Sequence, residues 1–198
     1  NKSFKDEDNP ISLFKIWFDE AKKSELNDPN ALSLGTSDSR GKPSVRTVLL
    51  KDFDNHGFVF YTNLNSVKSS AIKDNPVVSM CFHWKSLLRQ VIIIGTVSNV
   101  SDQEADEYYN SRSYESRIGA WASNQSSILN NREELNKKIE QFKSKFPDHD
   151  KVPRPSHWSG WRVNPSEIEF WLDGKNRIHE RLKYTKVNEI WEKVLLSP

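Results

Sequence analysis

The sequence predicts a mainly β fold with flanking helices, built as an antiparallel barrel or sandwich. Short apolar runs recur between residues 31 and 117, and turn signals such as Asp38 to Pro43 separate them. Two of these runs, Thr47–Leu50 and Val91–Ile94, are apolar on both faces, which is typical of strands covered on both sides. A chain of 198 residues with 35% hydrophobic and 28% charged residues also suits one folded domain with a real core.

The chain begins with a charged segment, residues 1–8, that we predict to be flexible, followed by a single domain over residues 9–198. Asn9 and Pro10 suit a helix start, with asparagine as the cap and proline in the first turn. Apolar residues at helical spacing then predict an amphipathic helix that ends near Leu26.

The remaining elements alternate between strands and helices along the chain. Strands are predicted at about 31–38, 43–52, 57–63, 76–84 and 87–100, and a short helix at 66–74. A helical insert over about 102–146 is predicted to contain helices at roughly 102–110, 116–122 and 132–146. In the last of these, a core-facing stripe is predicted from Leu135, Ile139, Phe142 and Phe146. After a loop at 147–155, the chain returns to strands from Trp158 to Leu195.

Charge and composition limit the classes of function. The formal net charge of +2 does not indicate nucleic-acid binding, and most aromatic residues occupy apolar periodic positions rather than alternating with basic ones. The single cysteine, Cys81, lies in an apolar run, which predicts a buried and unreactive thiol and excludes internal disulfides. No apolar stretch reaches membrane-spanning length. We therefore expect a cytoplasmic protein that binds neither nucleic acid nor membrane.

The most informative motif is Arg177-x-His179-x-Arg181. If this segment is a strand, its period of two places the three side chains on one face as a row of positive charge. An anionic ligand would explain such a row. The alternative is a solvated face of a hairpin, because Asp173 and Gly174 mark a turn just upstream.

Other basic and polar residues are candidates for binding anions. Arg46 and Lys51 lie at odd spacing on one predicted strand, which favours two ligands or two parts of one site. Lys68 lies near the start of a helix, where backbone N–H groups also point outward. Gln90 stands in an otherwise apolar strand, so its amide needs either a ligand or a cross-strand hydrogen bond.

Two further polar clusters belong to the helical insert. Tyr108, Arg112 and Ser116 share one face if the helix is continuous, whereas a break near Ser113 would make Ser116 a helix cap. Either geometry presents donors to a phosphate, although taken alone this spacing is more often that of a solvated helix face. The cluster from Gln125 to Ser127 is also able to donate to an anion. The five histidines show no metal-ligand spacing, and no serine stands in a nucleophile elbow.

Taken in order, these motifs resemble the pyridoxine (pyridoxamine) 5′-phosphate oxidase family. The resemblance runs from about residue 9 to the C-terminus. The matching segments are Arg46–Lys51, Tyr61–Asn63, Arg89–Val91, Tyr108-x3-Arg112, Ile118–Trp121, Gln125–Ser127, Glu169–Trp171 and Arg177–Arg181.

The resemblance implies a split β-barrel homodimer with FMN at the subunit interface, some contacts being supplied by the second subunit. The implied FMN contacts are Arg46, Tyr61, Thr62, Lys68, Gln90, Gln125, Ser126, Trp171 and Arg181. The implied clamp on the substrate phosphate is Lys51, Tyr108, Arg112 and Ser116. The residues implied to hold the pyridine ring against the flavin, and thus to be catalytic, are Arg177 and His179.

The implied reaction oxidises pyridoxamine 5′-phosphate or pyridoxine 5′-phosphate to pyridoxal 5′-phosphate. A hydride passes from C4′ to flavin N5, and dioxygen reoxidises the flavin with release of hydrogen peroxide. Some positions depart from the family pattern: Val67 replaces an arginine that binds phosphate, and Leu172-Asp173 replaces Gln-Gly. The alternative function is therefore a catalytically weak or silent split-barrel protein that carries or senses flavin or pyridoxal phosphate.

Overall fold

The computed structural model describes residues 4–198 and shows five helices and nine strands in that range. The helices are α1 (Pro10–Ser24), α2 (Val67–Asp74), α3 (Asp102–Asn110), α4 (Tyr114–Ala122) and α5 (Arg132–Lys145). The strands are β1 (Ala31–Ser37), β2 (Pro43–Leu49), β3 (Asp52–Asp54), β4 (Gly57–Asn63), β5 (Val77–Trp84), β6 (Arg89–Asn99), β7 (Trp158–Leu172), β8 (Glu180–Val187) and β9 (Ile190–Leu196).

The strands form one curled antiparallel sheet, as the sequence predicts. Their order is β2-β1-β5-β6-β7-β4-β3, and β8 extends the sheet from β7 to β9. β7 is the longest strand and pairs with three others. Its first half pairs with β4 and its second half with β8, while β6 pairs with most of its length on the other edge. β7 therefore connects the two parts of the molecule in which the candidate site residues lie.

Helix α1 packs aromatic side chains into the core against the sheet. Its start agrees with the prediction, since the Asn9 side chain accepts a hydrogen bond from the backbone N–H of Ile11. Phe14 is fully buried and packs edge-on against the rings of Phe58 and Phe82. Burying a side chain of this size contributes about 1.5–3 kcal/mol, so the helix holds the barrel together rather than lying loosely on it.

Most predicted elements are confirmed, and the differences have local causes. The strand expected at 43–52 ends at Leu49. The Leu50 N–H still bonds to the Asn30 carbonyl in the register of β1, but the Lys51 N–H bonds to the Val59 carbonyl of β4, so the chain leaves β1 at this point. The strand expected at 87–100 begins at Arg89, after a single 3₁₀ turn. The stripe on α5 is wrong as a core prediction: the helix has no fully buried residue, and its Phe142 packs on Trp121 of α4.

The described part of the N-terminal segment, residues 4–8, lies against the β8–β9 hairpin. Lys193 forms ion pairs with Asp6 at 2.6 Å and with Asp8 at 3.1 Å, and the Tyr184 hydroxyl donates to the Glu7 carbonyl. Residues 1–3 lie outside the described residues, so flexibility over residues 1–8 stays a prediction. No helix in the described range is long and apolar enough to cross a membrane.

Candidate functional site

A cavity of about 640 Å³ lies where β4, α2, α3 and α4 meet, and we call it the cationic cavity. Its residues are Thr47, Val48, Leu49, Lys51, Tyr61, Thr62, Asn63, Lys68, Tyr108, Arg112, Ser113, Ser116, Gly119, Ala120, Ser123, Gln125 and Trp158. Three of these carry positive charge and none is a carboxylate. Because the lining supplies no counter-charge, the cavity is suited to an anionic ligand.

Lys68 is the cation most firmly fixed in this cavity. It stands in the first turn of α2, which Ser66 caps by accepting from the backbone N–H of Ser69. Its Nζ donates to Thr62 Oγ1 at 2.9 Å and to Gln125 Oε1 at 2.8 Å. Burial, together with the nearby charge of Arg46, lowers the pKa of Lys68 to about 8. A bound anion would reverse that shift, because it stabilises the charged ammonium.

Arg112 is held by aromatic rings rather than by an acid. Its guanidinium lies 4.6 Å from the centre of the Trp158 ring. Burial lowers the pKa of Arg112, and its Nη1 is a buried donor with no hydrogen-bond partner among the described residues. A buried donor without a partner carries a desolvation cost, which an anion in the cavity would relieve.

A stack of three aromatic rings forms the wall behind Arg112. The Tyr61 ring lies 4.1 Å from that of Tyr108 and 5.5 Å from that of Trp158. Burial, with a smaller contribution from Glu104, raises the pKa of Tyr61 to about 12. The stack requires Gly160 opposite Tyr61 on β7, since a Cβ there would lie 2.7 Å from the Tyr61 ring.

The helix is interrupted between α3 and α4, so the prediction of one continuous helix through Tyr108, Arg112 and Ser116 is wrong. The cap of α4 is Ser113, whose Oγ accepts from the backbone N–H of Ser116, and not Ser116 itself. All three predicted residues nevertheless line the cationic cavity. The corner between the helices, rather than a shared helix face, brings them together.

Lys51 and Arg46 are separated by the end of β2. Lys51 follows the strand and lines the cationic cavity, with its Nζ 5.8 Å from the centre of the Tyr108 ring. Arg46 lies outside the lining, and its guanidinium donates to the Leu34 carbonyl at 3.0 Å and to Thr36 Oγ1 at 2.8 Å. The two cations therefore occupy different environments because β2 ends between them, and whether they serve two ligands or two parts of one site stays a prediction.

Gln125 and Ser126 lie on the loop after α4. Gln125 Oε1 also receives a hydrogen bond from Thr62 Oγ1 at 3.2 Å. Ser126 Oγ accepts from the backbone N–H of Val67 at 3.3 Å, at the N-terminus of α2. Ser126 lines a second cavity of about 380 Å³ that shares Gln125 with the first. The two cavities therefore adjoin at this loop.

A second group of predicted residues, which we call the Trp171 row, crosses three strands. Gln90 of β6 is opposite Trp171 of β7, which is opposite Arg181 of β8. Residues directly opposite in an antiparallel sheet share a face, and this face is turned away from the core, because the next residues along, such as Phe170, are fully buried. The Gln90 amide has no hydrogen-bond partner within residues 4–198, so the expected cross-strand alternative is not observed.

The cation of the Trp171 row is already paired. Arg181 Nε donates to Glu169 Oε1 at 2.7 Å, and the same guanidinium donates to the Ser197 carbonyl. Glu169 raises the pKa of Arg181. This pairing differs from the cationic cavity, in which no lining residue is an acid.

Arg177 and His179 do not lie on a strand, so the predicted single strand face for the three-residue motif is wrong. Lys175–Arg177 form a 3₁₀ turn, and β8 begins only at Glu180. Arg177 is exposed and has a φ of 63°, in the left-handed region that non-glycine residues seldom adopt. The His179 ring packs on Trp171 with 4.6 Å between ring centres. The turn, and not a shared strand face, therefore places these two residues beside the row.

The cationic cavity and the Trp171 row lie towards opposite ends of β7. Tyr61 is opposite Gly160 and Gln90 is opposite Trp171, and these two β7 positions are 11 residues apart. At about 3.3 Å per residue this corresponds to roughly 36 Å along the strand, far beyond the reach of any side chain. One chain therefore holds the predicted residues in two separate groups.

Comparisons with known proteins decide the family. The family model described as pyridoxamine 5′-phosphate oxidase matches residues 18–146, and the pyridoxine 5′-phosphate oxidase C-terminal dimerisation region matches residues 158–198. The chain belongs to the pyridoxamine 5′-phosphate oxidase family.

Relatives and solved structures agree with the family assignment. A pyridoxine/pyridoxamine 5′-phosphate oxidase of Pelagibacter ubique is 64% identical over 100% of this chain and 96% of its own length. The relative from Allorhizobium ampelinum with the same name is 51% identical over 98% and 95%. The crystal structure of PhzG from Burkholderia lata, in complex with tetrahydrophenazine-1-carboxylic acid, has a TM-score of 0.91 at 29% identity, covering 97% of this chain and 94% of PhzG.

The split-barrel fold is also confirmed. An FMN-binding protein from Nostoc punctiforme, related to pyridoxamine 5′-phosphate oxidase, has a TM-score of 0.78 at 15% identity, over 96% of this chain and 98% of its own. The two family matches divide the candidate site: the pyridoxamine 5′-phosphate oxidase match contains all of the cationic cavity except Trp158, and the dimerisation match contains Trp171, Arg177, His179 and Arg181.

Two residues of the site were missed by sequence reasoning. Trp158 supports Arg112, but a tryptophan at a strand start gives no signal that separates a core residue from a cavity wall. Asp173 lies beside His179, but the Asp-Gly pair was interpreted only as a turn. No cluster of histidine, cysteine, aspartate or glutamate able to hold a metal ion occurs in the described part of the chain.

Proposed function

We propose that the protein is an FMN-dependent oxidase that converts pyridoxamine 5′-phosphate or pyridoxine 5′-phosphate to pyridoxal 5′-phosphate with dioxygen, releasing hydrogen peroxide. The observation that carries the proposal is the cationic cavity, which gathers Lys51, Lys68 and Arg112 without a carboxylate in its lining. A phosphate monoester carries about −1.5 to −2 charge near neutral pH, so two such ligands match several cations that have no acidic partners.

The substrate phosphate is assigned to one side of the cavity. Arg112 offers its unpartnered Nη1, and Lys51 has no ion pair among residues 4–198. Tyr108 and Ser116 add hydroxyl groups to the same lining. Charge-assisted hydrogen bonds of this kind are stronger than neutral ones and would fix the phosphate, and with it the position of the substrate ring.

The residues present also fit FMN. Lys68, Thr62 and Gln125 already form one hydrogen-bonded cluster, with Ser126 at the N-terminus of α2, where a phosphate is favoured. Arg46 contributes charge beside Lys68, and Tyr61 lies in the adjoining aromatic wall. Gln90, Trp171 and Arg181 form the second FMN-contact group. FMN supplies a hydride acceptor that dioxygen reoxidises.

A homodimer would bring the two groups together. The dimerisation match covers β7, β8 and the turn between them, and so all of the Trp171 row except Gln90. Roughly 36 Å of β7 separates that row from the cavity of its own chain. We infer that the cavity of one subunit receives the Trp171 row of the partner. Arg177 and His179 would then hold the pyridine ring over the flavin, while the protein binds and orients rather than forming a covalent bond.

The visible absorption spectrum tests this function most simply. The purified protein is expected to be yellow, and its flavin absorbance is expected to bleach on anaerobic addition of pyridoxamine 5′-phosphate. Admitting air should restore the absorbance and yield hydrogen peroxide. Colourless protein that gains no activity with added FMN would contradict the proposal.

The carrier or sensor alternative is distinguished by separate Arg177→Ala and His179→Ala variants. An oxidase should lose turnover in both variants while retaining flavin, because neither residue belongs to the FMN contacts assigned above. A carrier would show no turnover in the wild type and would lose only ligand affinity in the variants. A cytoplasmic location remains part of the proposal.

A further inference from the structure

Arg154 lies in the loop before β7 and connects two elements of the cationic cavity without lining it. Its Nε donates to Asp106 Oδ1 at 2.6 Å, its Nη2 to Asp102 Oδ1 at 2.8 Å and its Nη1 to the Trp158 carbonyl at 2.9 Å. The side chain is only 12% exposed. Both aspartates belong to α3 and Trp158 begins β7, so one guanidinium joins the helix to the strand.

The helix and the strand that Arg154 joins both carry aromatic rings of the cavity wall. Tyr108 follows Asp106 by two residues on α3, and its ring lies 6.1 Å from that of Trp158 with 12° between the planes. The Tyr61 ring stacks on both of them. Trp158 in turn supports the Arg112 guanidinium at 4.6 Å. A shift of α3 relative to Trp158 would therefore open the stack and displace Arg112.

The loop restrains Arg154 independently of α3. Pro155 limits the backbone conformation of Arg154, the residue before it, and Pro153 has its own φ fixed by its ring. The Trp121 indole N–H of α4 donates to the Pro153 carbonyl at 2.8 Å, and the Trp158 N–H donates to the Pro155 carbonyl at 3.0 Å. The guanidinium therefore extends from a restrained backbone and is able to fix the position of α3.

Arginine suits this bridge better than lysine would. The two aspartates stand four residues apart, so they lie on the same side of α3, and the third partner is a carbonyl of another element. A guanidinium has donors on three nitrogens in a fixed plane, whereas lysine has a single nitrogen on a flexible stem. Partly exposed ion pairs contribute little to stability. We therefore expect the bridge to affect the geometry of the cavity more than the free energy of unfolding.

We propose that Arg154 is a positioning residue for substrate binding, because it holds α3 against Trp158 and so keeps the aromatic stack and Arg112 in place before a ligand binds. The inference rests on the proposed function, in which Arg112 binds the substrate phosphate. A wall that is ordered in advance spares the ligand the cost of ordering it. Loss of the bridge should therefore weaken substrate binding more than it slows the chemical step.

Steady-state kinetics of Arg154→Met test this role. The KM for pyridoxamine 5′-phosphate should rise about tenfold, since a small misplacement of a binding group is costly, while kcat should stay within about twofold of wild type. Arg154→Lys should recover part of the loss, because Nζ keeps only some of the three contacts. Asp106→Asn, which removes one contact and leaves the bond to Trp158, should raise KM by less than Arg154→Met does.

Lys193→Met is the matched control for these kinetics. Lys193 also pairs with two aspartates, Asp6 and Asp8, and donates to the backbone carbonyl of Glu7, but it stands on β9. Its variant should have the KM of wild type. An Arg154→Met enzyme with an unchanged KM, or an equal rise in KM in Lys193→Met, would overturn the proposal.

A measurement without turnover follows Trp158 directly. In protein labelled with 5-fluorotryptophan, the ¹⁹F resonance of Trp158 is assigned by its loss in Trp158→Phe. This resonance should shift or broaden in ligand-free Arg154→Met, because the stacked rings no longer hold one geometry, and it should stay in place in Lys193→Met. Asp106→Asn gives the same readout with a smaller shift if Arg154→Met does not fold. A Trp158 resonance unchanged in Arg154→Met or, failing that, in Asp106→Asn would overturn the proposal.

The two tests separate failure of this inference from failure of the proposed function. An active wild type whose KM and Trp158 resonance do not respond to Arg154→Met would contradict the inference and leave the oxidase proposal intact. A wild type that does not oxidise pyridoxamine 5′-phosphate would contradict the oxidase proposal, and the ¹⁹F measurement alone would then decide whether Arg154 positions the cavity wall.

Discussion

The cationic cavity and the Trp171 row both contain positive charge, but only the row pairs its cation with a carboxylate. In the cavity, Arg112 lies against an aromatic ring and keeps a buried donor without a partner. In the row, Arg181 is neutralised by Glu169, and its neighbour Lys183 is paired with Glu167. The difference indicates that the cavity is built to receive an anion, whereas the row is built to present a surface with little net charge.

The largest effect is expected from removing Arg112, the cation that has no acidic partner. Arg112→Ala should lower kcat/KM for pyridoxamine 5′-phosphate by about 10- to 150-fold, because hydrogen bonds to a charged group are worth about 1.5–3 kcal/mol. The effect should fall mainly on KM, as expected for a binding contact. Steady-state kinetics provide the measurement. Arg132→Ala, at the exposed start of α5, is the matched control and should behave as wild type.

The aromatic wall of the cavity gives the next effect, on stability. Gly160→Ala would force a Cβ to within 2.7 Å of the Tyr61 ring and should destabilise the fold by about 1–3 kcal/mol, as overpacking does. Thermal unfolding followed by circular dichroism measures this. Gly119→Ala, which meets nothing within 4 Å in the middle of α4, should instead be neutral or slightly stabilising. Equal losses in the two variants would contradict the packing explanation.

The pH dependence of FMN binding tests whether Lys68 has no acidic partner and therefore has a lowered pKa. Its pKa of about 8 means that the empty cavity holds a charged Lys68 below that pH and loses the charge as pH rises through it. Affinity for FMN should therefore fall between about pH 7 and about pH 9, with proton uptake on binding near the upper end. Fluorescence titration of flavin-free protein measures the affinity at each pH, and the slope of log Kd against pH gives the proton uptake. The slope should disappear in Lys68→Met and persist in Lys73→Met, which changes a lysine near the other end of α2.

The smallest effect is expected in the row. Glu169→Gln frees Arg181 from its carboxylate, but an ion pair that is still partly open to solvent contributes only about 0–1 kcal/mol. The dissociation constant of FMN should therefore change by less than about fivefold. A change in the FMN dissociation constant of tenfold or more would show that ligand binding at the row also depends strongly on its charged groups. The contrast between the two regions would then fail.

The sequence predicted the cavity better than the row, for a physical reason. Lys51, Lys68, Tyr108, Arg112 and Ser116 follow strands or helices whose periodicity and caps are local, so their approximate placement could be inferred. Arg177 and His179 lie on a turn held by backbone contacts to a distant hairpin and by a left-handed residue, and period-two reasoning does not describe such a segment. The separation of the two groups along β7 also depends on strand pairing, which a single sequence does not reveal.

Whether one site is made by two chains is tested most directly by a mixed dimer. Arg112→Ala and His179→Ala subunits carrying different tags are co-expressed, and the heterodimer is purified through both tags. In our account, one of its two sites joins an intact cavity to an intact row, while the other carries both defects. The heterodimer should therefore recover about half of the wild-type kcat/KM, although each parent homodimer retains only a small fraction of it. If each chain instead formed its own complete site, every site would keep one defect and the heterodimer would be as inactive as its parents.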